Sequence, residues 1–179
     1  MASASPRQSV LTRPPRTRFI VMSLALALLA NLLPWNGVAV LLWPDLVALV
    51  LLYWIIHYPR RIGLASAWFL GLLMDIAEGV LFGQHALAYV VTAYAAWLLH
   101  RRLQTFNPWQ QALYVLGLLL LLELTMLLVR LAFGAAFPGW LYFAGSLVGA
   151  VLWPLLTLVL QLPQRRQPAT TPPYGTASR

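Results

Sequence analysis

The chain has 179 residues, of which 61% are hydrophobic and 9% are charged, whereas a soluble domain carries about 25% charged residues. This composition excludes a soluble globular fold, because too few polar side chains remain to cover a water-facing surface, and it excludes a disordered chain. The absence of Cys excludes disulfides, thiol catalysis and Cys-based metal centres. All 12 basic residues are Arg, and they lie in small clusters between apolar runs. The net charge of +8 therefore does not indicate nucleic-acid binding.

The Arg clusters separate three apolar blocks, which cover residues 19–59, 62–100 and 103–164. Each block is long enough for two membrane crossings of about 20 residues, and each has a Gly or Pro turn signal near its middle. The sequence thus predicts an all-α membrane protein whose transmembrane helices form three hairpins. In chain order the predicted helices are 19–34, 40–58, 62–78, 82–100, 109–133 and 138–161. An alternative, in which the first helix continues to about residue 42 and the second span is short, gives the same sidedness.

The predicted topology places eleven of the 12 Arg residues on one side of the membrane. Cytoplasmic loops collect Lys and Arg, so both termini are predicted to be cytoplasmic. The transmembrane domain is expected to cover residues 19–162. Residues 1–18 and 163–179 are rich in Pro, Ser, Thr and Arg, and they are expected to be disordered basic tails near the anionic inner leaflet.

Six ionisable side chains are expected in the outer half of the bundle: Asp45, Asp75, Glu78, His85, Glu123 and Arg130. Ionisable residues inside a membrane are costly and are functional candidates. The cluster is either an outward-opening cavity or partner-binding patch, or internal pairing that fixes the order of the helices. Arg130 is the expected first partner of Asp75, because it is the only fixed positive charge on the outer side. The other candidates are His85, backbone N–H groups near Gly79 and a partner protein.

Small residues recur every four positions along the third predicted helix and again on the sixth, where they predict close helix packing. On the third helix, with Asp75 in the same series, they are Gly63, Ala67, Gly71, Gly79 and Gly83; on the sixth they are Gly145 and Gly149. Packing inside the bundle is the favoured interpretation, and a contact with a partner's helix is the other.

No catalytic motif is present in the sequence. It has no Gly-x-Ser-x-Gly, no His-Glu-x-x-His and no Gly-rich phosphate loop. Asp75, Glu78 and His85 are metal-ligand types, but no second His lies near them. We therefore expect no enzymatic activity, no cofactor and no metal.

Several short motifs resemble the central signature of MreD, the rod shape-determining membrane protein family. They are Gly71-Leu72-Leu73-Met74-Asp75, then Gly79, Gly83, His85-Ala86-Leu87 and Tyr94, and also Pro44-Asp45 after a first helix ending Leu32-Leu33-Pro34. The specific part of the resemblance covers about residues 31–102.

The resemblance implies a multi-pass protein of the bacterial inner membrane. It implies a non-catalytic scaffold of the cell-elongation and peptidoglycan-synthesis machinery, which maintains rod shape by binding MreC, with MreB, RodA and the elongation-specific penicillin-binding protein as further partners. Its architecture is similar to the substrate-binding subunits of energy-coupling-factor transporters, a fold-level analogy that assigns no ligand. A different function, a small-molecule binding or transport subunit with an outward-facing polar cavity, stays open.

Overall fold

The computed structural model describes residues 16–34, residue 37 and residues 42–165, with side chains up to residue 163. Within these ranges lie six α-helices and one short 3-10 helix. They are α1 (Thr17–Asn31), α2 (Leu46–His57), α3 (Leu64–Glu78), α4 (Gln84–Leu103), α5 (Pro108–Ala132), the 3-10 helix (Trp140–Phe143) and α6 (Ala144–Arg165). The number and order of the helices agree with the sequence-based prediction.

Two predicted boundaries differ from the structure. α1 begins at Thr17 and α6 continues to Arg165, so the ends of both predicted tails belong to helices. The remainder of the tails, residues 1–15 and 166–179, lies outside the described residues. The alternative of a first helix that continues to about residue 42 is wrong, because α1 ends at Asn31, but the short second span of that alternative agrees with α2.

The second helix is shorter than the predicted 40–58. It begins after Asp45, whose side chain accepts a hydrogen bond from the backbone N–H of Ala48 at 3.0 Å. Such a cap fixes the first residue of a helix. The 12 residues of α2 extend over about 18 Å, less than the hydrocarbon thickness of about 30 Å.

α2 is the central helix of the bundle. Its residues from Val47 to Ile56 are all buried, as expected for a helix that is apolar on every side. It packs against α1, α4 and α6. Trp54 of α2 also donates a hydrogen bond from Nε1 to the Ser23 hydroxyl of α1 at 2.9 Å.

The helices of each predicted pair contact each other, as α1 with α2, α3 with α4, and α5 with α6, and α4 also packs on α5. The tightest approach is between α3 and α4. A Cβ atom added at Gly71 would lie 2.4 Å from the Cα atom of Ala86. The backbones of the two helices are therefore in contact at this point.

The outer surface of the bundle is apolar. Large exposed side chains include Met22 and Leu26 on α1, Leu113 on α5 and Val151 on α6. Two segments are long and apolar enough to cross a membrane, Pro108–Ala132 and Trp140–Pro163. α1 and α2 are apolar but shorter.

Candidate functional site

A cavity of about 770 Å³ lies at one end of the bundle, where α1, α3 and α5 end and α2, α4 and α6 begin. We call this end the polar end. Of the six ionisable residues that the sequence placed together, five line this cavity: Asp45, Glu78, His85, Glu123 and Arg130. The sixth, Asp75, is buried against His85.

The Asp75 side chain of α3 caps the N-terminus of α4. Its Oδ1 atom accepts hydrogen bonds from the backbone N–H of His85 at 2.8 Å and from His85 Nδ1 at 2.9 Å. Its Oδ2 atom accepts from the backbone N–H of Gly83 at 2.8 Å. The first N–H groups of a helix have no partner within that helix, and the α4 N-cap Gly83 has no side chain to offer. A carboxylate from the neighbouring helix does this instead.

The expected Asp75–Arg130 pair is wrong. Among the described residues, Arg130 has no carboxylate oxygen within 4 Å. It lies near the Tyr142 hydroxyl and, further away, near Glu78. The close packing at Gly71 explains the difference, because it brings the start of α4 to the Asp75 carboxylate. The backbone donors come from Gly83 and His85, and not from the turn at Gly79.

Asp45 joins three helices. Besides the N–H of Ala48, its carboxylate accepts hydrogen bonds from Asn31 Nδ2 of α1 at 3.0 Å and from the Tyr89 hydroxyl of α4 at 2.6 Å. Asn31 also accepts from the backbone N–H of Leu46 at 3.1 Å. Sequence reasoning missed both partners. Tyr89 follows His85 by four residues and so shares its helix face, which is a signal for including it.

His85 connects the buried and the open parts of the site. Since a carboxylate only accepts hydrogen bonds, the contact with Asp75 assigns the proton to Nδ1. Nε2 then lies 3.5 Å from Glu78 Oε2, on the cavity side. The Glu78 side chain is 47% exposed, so this contact is at the opening of the cavity.

Glu123 and Ser146 form the least satisfied part of the site. Glu123 interacts with Ser146, although Glu123 Oε2 and Ser146 Oγ, both buried, have no described atom in strict hydrogen-bond geometry. Both residues line the cavity, and they face each other from α5 and α6. An added Cβ atom at Gly145 would lie 3.1 Å from the backbone oxygen of Trp43 and 3.4 Å from Glu123 Oε1, so the chain is closely packed beside this contact. No sequence motif around Ser146 pointed to this contact.

The small residues serve two different purposes. Ala67 and Gly71 are buried on α3, and an added Cβ atom at Gly149 would lie 2.9 Å from a methyl carbon of Leu119. By contrast, three of the predicted packing positions lie just outside helices: Gly63, Gly79 and Gly83. An added Cβ atom at any of them would meet nothing within 4 Å. The prediction of close packing is wrong for these three. Gly79 and Gly83 have φ values of +63° and +93°, which favour glycine in turns.

A metal site would need three or more His, Asp or Glu side chains close together. The part of the chain that the structure describes contains no such group. The Asp75, Glu78 and His85 side chains form a chain of pairwise contacts instead.

An apolar outer surface, two helices of membrane-spanning length and a polar cavity at one end are features of α-helical membrane proteins. A family model described as rod shape-determining protein MreD matches residues 16–162. The rod shape-determining protein MreD of Haemophilus influenzae is 28% identical over 157 residues, covering 84% of this chain and 97% of the relative. No solved structure matches.

The chain therefore belongs to the MreD family of rod shape-determining membrane proteins. The resemblance of its sequence motifs to this family is confirmed.

Proposed function

We propose that this chain is a non-catalytic scaffold in the inner membrane of a bacterium, where it supports cell elongation by binding MreC. MreB, RodA and the elongation-specific penicillin-binding protein are the further proposed partners. Family membership supports this function. The observation that carries it is the use of the half-buried Asp45 and the buried Asp75 as internal links between helices. Both carboxylates are engaged in hydrogen bonds between helices, which supports a structural use of these two acids.

The proposed topology has six crossings in three hairpins, with both termini in the cytoplasm and basic tails at residues 1–18 and 163–179. The arginines at the end opposite the cavity support it, since Arg60, Arg61, Arg101 and Arg102 are all exposed there. An architecture similar to the substrate-binding subunits of energy-coupling-factor transporters is part of the same proposal, and it rests on the number and pairing of the helices.

The experiment is purification of the tagged full chain from its own cells in a mild detergent, followed by quantitative mass spectrometry. We expect MreC in nearly stoichiometric amount. A tagged multi-pass protein of unrelated function, purified in parallel, is the control. Absence of MreC, both with and without crosslinking before solubilisation, would contradict the scaffold function.

The second candidate is a small-molecule binding or transport subunit. The cavity favours it, because ligand pockets have volumes of about 300–1,000 Å³ and this one has about 770 Å³. A ligand that stays bound through purification in the absence of partner proteins would favour this function.

A further inference from the structure

Two pairs of arginines lie at the end of the bundle opposite the cavity. Arg60 and Arg61 are in the turn between α2 and α3, and Arg101 and Arg102 are in the last turn of α4. All four side chains are exposed. Among the described residues, no carboxylate oxygen lies within 4 Å of their guanidinium groups. These four positive charges are therefore not paired within the described structure.

The fold holds the two arginine pairs beside each other. Gln104 Nε2 donates a hydrogen bond to the Ile56 carbonyl at 2.6 Å, which joins the residue after α4 to the end of α2. Gln104 follows Arg102 by two residues, and Ile56 precedes Arg60 by four. In addition, α3 begins directly after the turn with the first pair and packs along α4. The turn and the end of α4 therefore form one basic surface.

The acids of this chain are too far away to neutralise the basic surface. The sequence has four Asp and Glu residues, and all of them lie at the polar end of the bundle: Asp45, Asp75, Glu78 and Glu123. The counter-charge must come from another molecule. At a membrane surface, anionic lipid headgroups attract arginines next to a transmembrane helix.

An exposed aromatic and apolar surface continues from the second arginine pair along α4. Tyr94, Trp97 and Leu98 are all exposed. The Trp97 ring stacks between Tyr94 and His100, with 6.3 Å between the ring centroids in both contacts. Arg101 follows Trp97 by four residues and so lies on the same helix face. A lipid whose phosphate binds Arg101 can therefore lay its acyl chains along α4, towards the middle of the bundle.

We propose that this basic surface binds one lipid that carries two phosphates, as cardiolipin does. One phosphate accepts hydrogen bonds from Arg60 and Arg61, and the other accepts from Arg101 and Arg102. Guanidinium groups bind phosphate through parallel N–H donors, so two adjacent arginine pairs suit two phosphates on one short linker. The inference goes beyond the proposed scaffold function and does not depend on MreC.

The test is native mass spectrometry of the purified full chain in detergent micelles, in ammonium acetate at about 0.15 M to screen distant charges. Cardiolipin is titrated in parallel with phosphatidylglycerol, which has one phosphate and the same acyl chains. We expect cardiolipin to bind at least about tenfold more tightly, a difference of about 1.4 kcal/mol, because phosphatidylglycerol engages only one arginine pair. Equal affinity for the two lipids would overturn the proposal.

Two double variants each remove one arginine pair. They are Arg60→Gln with Arg61→Gln, and Arg101→Gln with Arg102→Gln. Each should lower the affinity for cardiolipin about tenfold, to nearly that for phosphatidylglycerol, because one phosphate loses its partners. The four side chains are exposed, so Gln should leave the fold intact, and the unfolding temperature in lipid-free detergent checks this. Unchanged cardiolipin binding in both double variants would contradict the proposed site.

Arg16→Gln with Arg18→Gln is the matched control variant. Both arginines are exposed at the start of α1, at the same end of the bundle, and α1 packs mainly on α2. This variant loses as much charge as the other two but keeps both arginine pairs, so the preference for cardiolipin should remain. An equal loss of cardiolipin binding would mean that total charge alone attracts the lipid, and it would overturn the proposal.

An acidic protein segment is the alternative source of the counter-charge. The same variants are therefore purified from cells and compared by quantitative mass spectrometry. If a co-purifying protein is lost from both arginine-pair variants while cardiolipin binding is unchanged, the arginines bind that protein and the lipid site is wrong. Loss of cardiolipin with the same protein partners as the unmodified chain supports the lipid site.

Discussion

Two carboxylates in this protein, the buried Asp75 and the half-buried Asp45, replace backbone partners that helix starts lack. Asp75 accepts from two N–H groups at the start of α4, and Asp45 accepts from one at the start of α2. The positive end of the helix dipole also favours a negative charge at these positions. Inside a membrane, where water does not satisfy free N–H groups, a helix start needs such a partner from the protein. Both acids are therefore explained by the fold itself.

At the scale of single residues, the Asp75–His85 contact leads to a prediction about stability. Asp75→Asn removes the charge and should lower the free energy of unfolding by about 1–3 kcal/mol, the range for hydrogen bonds to charged groups. A double-mutant cycle with His85→Ala should show non-additive effects of about 0.6–1.7 kcal/mol, as for hydrogen bonds in other membrane bundles. Reversible unfolding in detergent by a chemical denaturant measures these energies.

The matched control for that cycle is Arg130→Gln. Because Arg130 does not contact Asp75, the effects of Asp75→Asn and Arg130→Gln should add. A coupling energy with Arg130 as large as that with His85 would show that Asp75 is paired differently from the arrangement described above.

The sequence predicts that Asp75 needs a donor, but not which one. Choosing between Arg130 and the start of α4 requires the distance between α3 and α4, which depends on how closely the two backbones pack at Gly71. The contact of Glu123 with Ser146 could not be predicted from the sequence for a similar reason, because it depends on the rotation of α6 relative to α5. Asp45 was accessible, because an Asp before an apolar run is a signal for a helix start.

At the scale of helices, the close packing of α3 against α4 depends on Gly71 having no side chain. Gly71→Ala would place a Cβ atom 2.4 Å from the Ala86 backbone. Backbone atoms cannot relieve this clash by changing rotamer, as a side chain can. Overpacking of this kind costs about 1–3 kcal/mol. We expect Gly71→Ala to lower the unfolding temperature in detergent and to weaken the Asp75 cap, since both depend on the same approach.

Gly117→Ala is the matched control for this prediction. Gly117 lies within α5, and an added Cβ atom meets nothing within 4 Å. Ala is the better helix former by about 0.8–1 kcal/mol, so this change should leave stability unchanged or raise it. Equal destabilisation by the two substitutions would contradict the close approach of α3 and α4.

The number and pairing of the helices were predictable, because Arg clusters mark the block ends and Gly or Pro turns mark the block middles, but the starts of α2 and α6 lie six residues after the predicted ones. The spacing of four residues was misleading at its ends. A period of four is the same whether a glycine lies inside a helix or in the turn beyond it, so Gly79 and Gly83 looked like packing positions. Only their positive φ values distinguish the two cases.

At the scale of the whole molecule, the short α2 raises the question of how it crosses a membrane. A helix exposed to lipid would need about 20 residues, but α2 is enclosed by protein and its ends are bound by protein side chains. Asp45 caps its start. At its other end, Gln104 Nε2 donates to the Ile56 carbonyl at 2.6 Å. A helix whose free backbone groups are satisfied in this way does not need to match the bilayer thickness.

This argument leads to a prediction of sidedness. The chain has no Cys, so labelling of a single introduced Cys residue reports on which side of the membrane that position lies. A membrane-impermeant maleimide added from outside should label Asn36→Cys, Val80→Cys and Ala136→Cys. It should not label Ser5→Cys or Gly175→Cys, because the positive-inside rule retains the Arg-rich side in the cytoplasm.

Gly63→Cys tests the short helix directly. Gly63 is exposed at the start of α3, and an added Cβ atom there meets nothing within 4 Å, so the substitution should not disturb the fold. If α2 crosses in spite of its length, Gly63→Cys should be protected from outside and react only after the cells are opened. Labelling of Gly63→Cys from outside, with Ser5→Cys still protected, would mean that α2 turns back before reaching the cytoplasm. The Arg60–Arg61 pair would then lie on the outer side, where the positive-inside rule disfavours it, and protection is therefore the expected result.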